Sequence, residues 1–300
     1  MISRNSSPTL VDYSNVNIKE IDAGVVLFNK LIGDSPVLIS RFGSEEIKSL
    51  KEYKLRMNSW PIRYYYYKKG WINDYAPFST KNLFDSTFRW NNFRDDWYKY
   101  YRLFTTAMSE IDILGSWLFW EKVYQKELQT SIKIRLSRLE PYYHSTNWLL
   151  ALHNKKVLVI HPMKESILRQ FEKKDLLFES GKGMPDCHLS VMQALYFDDN
   201  KYNTWVKIYE YYLNEVEKFD FDIVIIGNGS WGMPLGAYLK NKEKKVIHLG
   251  GAVQLLFGIM GNRWFNDYPF VRDLMNEHWI FPNPSETPTW SEGYDKKAYW

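Results

Sequence analysis

The chain has 300 residues, 45% of them apolar and 17% aromatic, with a formal charge of +4. That length suits one large α/β domain or two smaller ones, and the apolar share is enough for a full core. So modest a charge, carried on scattered lysines, argues against a nucleic-acid-binding protein and leaves a mild preference for anionic ligands. Cys187 stands alone, which excludes an intrachain disulfide and suits the cytoplasm. Residues 1–15 hold no apolar h-region, and no run approaches the length of a membrane span. The expectation is a cytoplasmic protein, with peripheral association at the inner face of the membrane left open.

In chain order, residues 21–31 carry apolar positions at helical spacing and stop at Gly33. Residues 36–41 read as a first strand, Phe42-Gly43 as a turn, and Ser44 as the N-cap of a helix over 45–50. From Trp60 to Tyr101 periodicity breaks down into an aromatic-rich insertion, whose last part, from Trp97 into a helix ending at Met108, is helical. Strands are expected at 111–114, 131–136, 156–161 and 189–193, and helices at 165–173 and 202–219. Residues 222–226 form an apolar run with no polar face, as a buried parallel strand does. A glycine turn, a helix through Leu239, a strand at 245–249 and a helix from Ala252 follow. Beyond Trp264 a Pro- and aromatic-rich segment, about 265–300, wraps the surface. The economical reading is a single α/β domain over 1–300 with an insertion at about 60–101.

Alternating strands and helices favour a mostly parallel sheet flanked by helices, in which ligands bind beyond the carboxyl ends of the strands. The conspicuous polar residues fall there. Gly227-Asn228-Gly229-Ser230-Trp231-Gly232 has the spacing G-x-G-x-x-G between a strand and a helix. Its glycines permit a tight turn and close approach of phosphate to backbone N–H groups, with Gly227, Gly229, Ser230 and Gly232 as donor-binding residues. The next strand ends in His248-Leu249-Gly250-Gly251 with no carboxylate for a ribose, which argues against NAD.

Each candidate has a plainer reading beside it. Arg41 could clamp a diphosphate and Glu46 orient a sugar hydroxyl or share a metal with Glu45; equally, the two acids favour a helix N-terminus and Arg41 makes a salt bridge. His161 suits a base or a phosphate donor, or a packed strand end. Glu165 adds to that site or merely begins a helix. Gln254, near a second glycine nest at Gly250 and Gly251, could bond a base or sugar, or cap a loop. Arg263 could neutralise phosphate or pack the C-terminal wrap. Trp71, Trp90 and Trp97 would offer an acceptor platform, since aromatic faces suit the apolar faces of sugar rings. A Walker A lysine, H-E-x-x-H, a G-x-S-x-G elbow and a zinc spacing around the cysteine are all missing from the sequence.

The segments 157–162, 221–235 and 246–258, with Gly261-Asn262-Arg263-Trp264 and terminal Tyr299-Trp300, resemble bacterial proteins of the GT-D glycosyltransferase fold. That group is associated with surface-polysaccharide and glycoprotein glycosylation. The resemblance spans about Val37 to Trp300 and implies a Rossmann-like sheet that takes a UDP-sugar and transfers the sugar to a glycan or glycopeptide; the acceptor expected here is a glycan or lipid-linked glycan. It also implies an Asp-x-Glu motif after Arg-Phe-Gly that engages a manganese–nucleotide complex. Here the run is Ser44-Glu45-Glu46, so Glu46 fills the second acidic position and Ser44 replaces the aspartate. Serine is a poor ligand for Mn2+ or Mg2+ beside a carboxylate, which places metal use in question. On the combined reading of residues and resemblance, Arg41, Gly43 and the Gly227 turn steady the diphosphate, Glu46 positions the donor, and Gln254 and Arg263 contact it. His161 is then the base. The rival readings are a noncatalytic sugar-nucleotide- or glycan-binding assembly protein, favoured by Ser44, and a phosphoryl or pyruvyl transferase in polysaccharide assembly.

Overall fold

The computed structural model describes residues 16, 20–72, 93–144, 146–179, 182–196, 202, 204–293 and 297–300. Its centre is a seven-stranded sheet of β1 (Val37–Arg41), β2 (Ile113–Ser116), β3 (Ile132–Arg135), β4 (Lys156–His161), β5 (His188–Gln193), β6 (Ile223–Ile226) and β7 (Lys245–His248). The strand order is β3-β2-β1-β7-β6-β4-β5, and every pairing is parallel. This is the Rossmann-like α/β architecture that the alternation of apolar runs implied.

The period-2 alternation of side chains divides the core in two. Leu38, Leu114, Leu158, Ile160, Val224, Ile226 and Val246 face a layer built from α4 (Phe93–Ser109), α7 (Trp205–Val216) and α8 (Gly232–Lys240). Val37, Ile39, Ile113, Val157, Val159, Ile223, Ile225 and Ile247 face the other layer, with α1 (Glu20–Ile32) and α5 (Lys164–Phe171). At the sheet's entry edge Asp112 accepts the Leu38 N–H at 2.8 Å and Asp222 the Lys156 N–H at 2.9 Å, setting the register of two strands.

Several elements differ from their sequence reading. The helix after β1 is α2 (Ser44–Arg56), N-capped by Gly43 rather than Ser44, and it runs past Leu50 because Leu55 adds another buried contact. Part of the insertion is helical: α3 (Trp60–Lys68) opens with Pro61 in its first turn, where a missing N–H costs nothing. The segment after Gly250 is a 3₁₀ helix (Gly250–Phe257) ending at Gly258 with φ +61°, a left-handed position that glycine adopts without strain. Near the C-terminus come the short helices α9 (Asn262–Asp267) and α10 (Pro269–Arg272), then a segment whose Trp290 and Trp300 pack edge to face at 5.4 Å against the second core. Among the described residues no helix is long and apolar enough to cross a membrane.

Candidate functional site

The chain leaves β4 toward the outer strand β5 but leaves β6 toward β7 on the opposite side. Loops diverging in this way open the crevice where parallel α/β sheets hold ligands. Arg41, His161, the Gly227 turn and Gly250 all lie on this carboxyl edge.

Arg41 ends β1 half-buried. Its Nε is buried without a hydrogen-bond partner, and no direct ion pair reaches the guanidinium among the described residues. The group sits 5.3 Å from the centre of the Trp117 ring, beside Gly250. A Cβ on Gly250 would come 3.0 Å from Arg41 Nη1, and its φ of +62° suits glycine. Three carboxylates lie within the electrostatic reach of Arg41. Glu46, at the start of α2, folds back so far that a Cβ on Gly43 would collide with its carboxylate at 1.7 Å. A side chain at position 43 would displace the Glu46 carboxylate from this place. Burial raises the Glu46 pKa, while its own backbone N–H and then Arg41 oppose the rise. Glu121 is buried after β2 and accepts Ser116 Oγ–H and the N–H groups of Trp117 and Leu118, the latter two at 3.1 Å. Burial raises its pKa against those bonds and Arg41. Glu140, beyond β3, accepts the Tyr142 hydroxyl; burial pushes its pKa up to about 7, against the Tyr142 bond and Arg41.

Glu121 and Glu140 were missed by the sequence reading. Neither belongs to a motif; each reaches Arg41 only because β2 and β3 pair in parallel beside β1. Glu121 also lines a cleft of about 250 Å3 with Lys122, Gln125, Leu128 and Lys133, whose size suits a small group rather than a whole nucleotide-sugar.

The glycine turn is packed more tightly than its spacing implied. A Cβ on Gly227 would sit 2.6 Å from the His161 ring and 2.8 Å from the Gly250 carbonyl, and one on Gly232 2.5 Å from His248. Ser230 Oγ accepts the Trp205 indole N–H at 2.9 Å in the core. Only Gly229, exposed at φ +66°, has open space around it. The residue sequence reasoning passed over is Asn228: 4% exposed, with both amide atoms lacking a partner. A buried orphan amide just before α8 offers a donor and an acceptor to a polar ligand group.

The structure corrects three expectations. His161 is buried, its pKa pushed down to about 3 by desolvation. Its Nδ1 accepts the Met163 N–H at 3.1 Å. The lone pair of the neutral ring is thereby engaged, so His161 serves as an Nε2–H donor and not as a base. Gln254 is fully buried and its amide donates to the carbonyls of Ile259, Met260 and Tyr299, so it ties down the C-terminus instead of reaching a donor. Trp97 is 1% exposed, stacked on Tyr53 at 6.0 Å in the core, where no acceptor reaches it. Glu45 is exposed and pairs with Lys48 at 2.7 Å, while its charge still reaches Glu46.

Arg263 packs on Tyr299, bonding its hydroxyl at 3.1 Å and lying 4.9 Å from the ring centre, while the same ring fills the space beside Gly251. Trp71 is partly exposed, edge-on to Trp120 at 6.3 Å; Trp90 lies outside the described residues. Among the described residues no three His, Cys, Asp or Glu side chains converge as a metal cluster. The His248 Nδ1 and Ser40 Oγ form a buried 2.9 Å hydrogen bond directly behind Arg41, and burial with Arg41 pushes the His248 pKa down to about 3. A neutral His248 adds no second positive charge there.

No protein-family model, curated protein or solved structure matches this chain. The strand order by itself establishes a Rossmann-like fold, consistent in general with nucleotide-binding enzymes.

Proposed function

We propose that the protein transfers a sugar from a nucleotide-sugar, with UDP as the leading nucleotide, to a surface-polysaccharide or related glycan acceptor. The observation that carries this reading is Arg41: a partly buried guanidinium with no direct ion pair among the described residues, at the carboxyl edge of a parallel sheet. A departing nucleoside diphosphate gains negative charge as the bond from its phosphate oxygen to the anomeric carbon breaks. A preorganised cation there stabilises the transition state more than the ground state. The Asn228 amide and the exposed Gly229 turn supply further polar contacts. Glu140 takes the acceptor proton as the acceptor oxygen bonds the anomeric carbon, since a carboxyl held near neutrality suits a general base. Glu46 would be the protein carboxylate available to a nucleotide-bound divalent ion, which would offset phosphate charge there.

Ser44, at the position where an aspartate is expected, favours a second reading: a noncatalytic sugar-nucleotide-binding assembly protein. Purified protein incubated with a UDP-sugar panel, with manganese or with EDTA, separates the two. Under the enzyme reading free UDP accumulates with one donor, and Arg41→Ala slows release by about 100-fold or more. Donor binding without release across an acceptor panel supports the assembly protein. Absence of both binding and release overturns the UDP-sugar assignment.

A further inference from the structure

Helix α3 is anomalous for a soluble protein. Trp60 and the run Tyr64 to Tyr67 make it mainly aromatic, yet none of its residues is buried. Trp60 is 57% exposed and Tyr65 52%, and Met57, Ile62 and Trp71 around them are exposed too. Its rings stack on one another, Trp60 on Tyr64 at 5.6 Å and Tyr66 on Trp71 at 5.6 Å. An aromatic patch of this kind marks an interaction face.

Its charge identifies the partner. Residues 57–72 contain Arg63, Lys68 and Lys69 and no Asp or Glu. Lys68 lies 5.5 Å from the Tyr64 ring centre and Lys69 5.7 Å from that of Tyr65, so ammonium groups and aromatic rings share one surface. Tryptophan and tyrosine settle at the headgroup level of a bilayer, and lysine and arginine draw them to anionic lipid. A two-fold dimer through α3 would set the same cations against each other. The absence of any carboxylate from this stretch fits an anionic surface better than a sugar, whose hydroxyls carry no charge for the cations to meet.

We propose that α3, with Met57 and Trp71, docks the protein on an anionic lipid surface. The helix leads to the carboxyl edge of the sheet: Trp71 meets Trp120, whose neighbour Glu121 belongs to the Arg41 group. Docking through α3 would thus hold that edge near the lipid headgroups, where a lipid-linked acceptor is found. The docking does not depend on sugar transfer, and its test needs no donor.

Full-length protein is mixed with vesicles of phosphatidylcholine alone or of phosphatidylcholine with phosphatidylglycerol, at low and high salt, and the bound fraction is read by flotation. The expected result is partition into the anionic vesicles, weakened by salt. The Lys68→Glu/Lys69→Glu variant should partition about 30-fold more weakly. Trp60→Ala/Tyr65→Ala should also bind more weakly, with circular dichroism and melting unchanged because both side chains are exposed. Equal binding to neutral vesicles, no binding at all, or wild-type partition by either variant overturns the proposal. So does a sedimentation dimer that Trp60→Ala dissolves, which would assign the face to a second copy.

Discussion

At the end of β6, glycines let neutral groups pack at contact distance, Gly227 against the His161 ring and Gly232 against His248. At the end of β1, two strands along on the same edge, Arg41 sits among Glu46, Glu121 and Glu140 with no direct ion pair among the described residues. The first region carries the recognisable spacing and is mostly closed. The second shows only Arg41 and Glu46 in a recognisable spacing, and it concentrates the charge. A glycine pattern reports that backbones or rings come close, whether the neighbour is a ligand or the protein itself. Charge convergence reports unspent electrostatic potential, which is the better guide to chemistry.

Alanine substitutions sharpen that contrast most strongly. Gly227→Ala forces a methyl group into the His161 ring and the Gly250 carbonyl, and should cost about 3 kcal/mol in chemical denaturation. Gly229→Ala meets open space and pays only the left-handed backbone penalty, about 1 kcal/mol. If Gly227→Ala were as stable as wild type while Gly229→Ala unfolded, the packing account of the turn would be wrong.

The sheet was largely legible in the sequence because buried parallel strands are written as local apolar runs. Val157 to Ile160 and Ile223 to Ile226 announce themselves without reference to anything distant. Arg41 and Glu46 were legible for a similar reason, lying in one strand–turn–helix unit. Glu121 and Glu140 were not, since their meaning depends on strand order, which no local pattern encodes. Gln254 misled because a glutamine beside glycines looks the same whether it faces a ligand or three carbonyls of its own chain. The aromatic insertion misled in both directions: Trp97, on α4, belongs to the core, while α3 exposes its rings.

The charged region differs from the glycine region in its response to pH. Glu140 has a folded pKa of about 7 against an ordinary 4.5, raised chiefly by burial. Raising a carboxyl pKa favours the folded state while the group is protonated. That contribution is complete below about pH 4.5 and lost as pH rises through 7. His161 and His248, lowered to about 3, behave oppositely: their contribution is complete above 6.5 and lost as pH falls toward 3. Glu140→Gln should therefore remove a slope of about 1.4 kcal/mol per pH unit between pH 4.5 and 7, leaving the acid limb set by the two histidines. Denaturant midpoints across pH would show this, and an unchanged slope in Glu140→Gln would place the carboxyl in a far wetter environment.

The smallest effect tests the remaining candidate anion site on this edge. The N-terminus of α5 at Lys164, shortly after His161, is a second helix start on this edge. Its donors are already taken. Glu286, from the C-terminal wrap, accepts the Glu165 N–H at 2.6 Å and the Ser166 N–H at 3.2 Å, and Asn283 N–H bonds Ser166 Oγ at 2.9 Å. A carboxylate at that position satisfies orphan amides and complements the helix dipole. Glu286→Ala should cost about 1 kcal/mol, as loss of a capping side chain does, and leave nucleotide release unchanged. Release that falls with Glu286→Ala as far as with Arg41→Ala would place the reacting diphosphate at α5 after all. It would then move the site from β1 to β4.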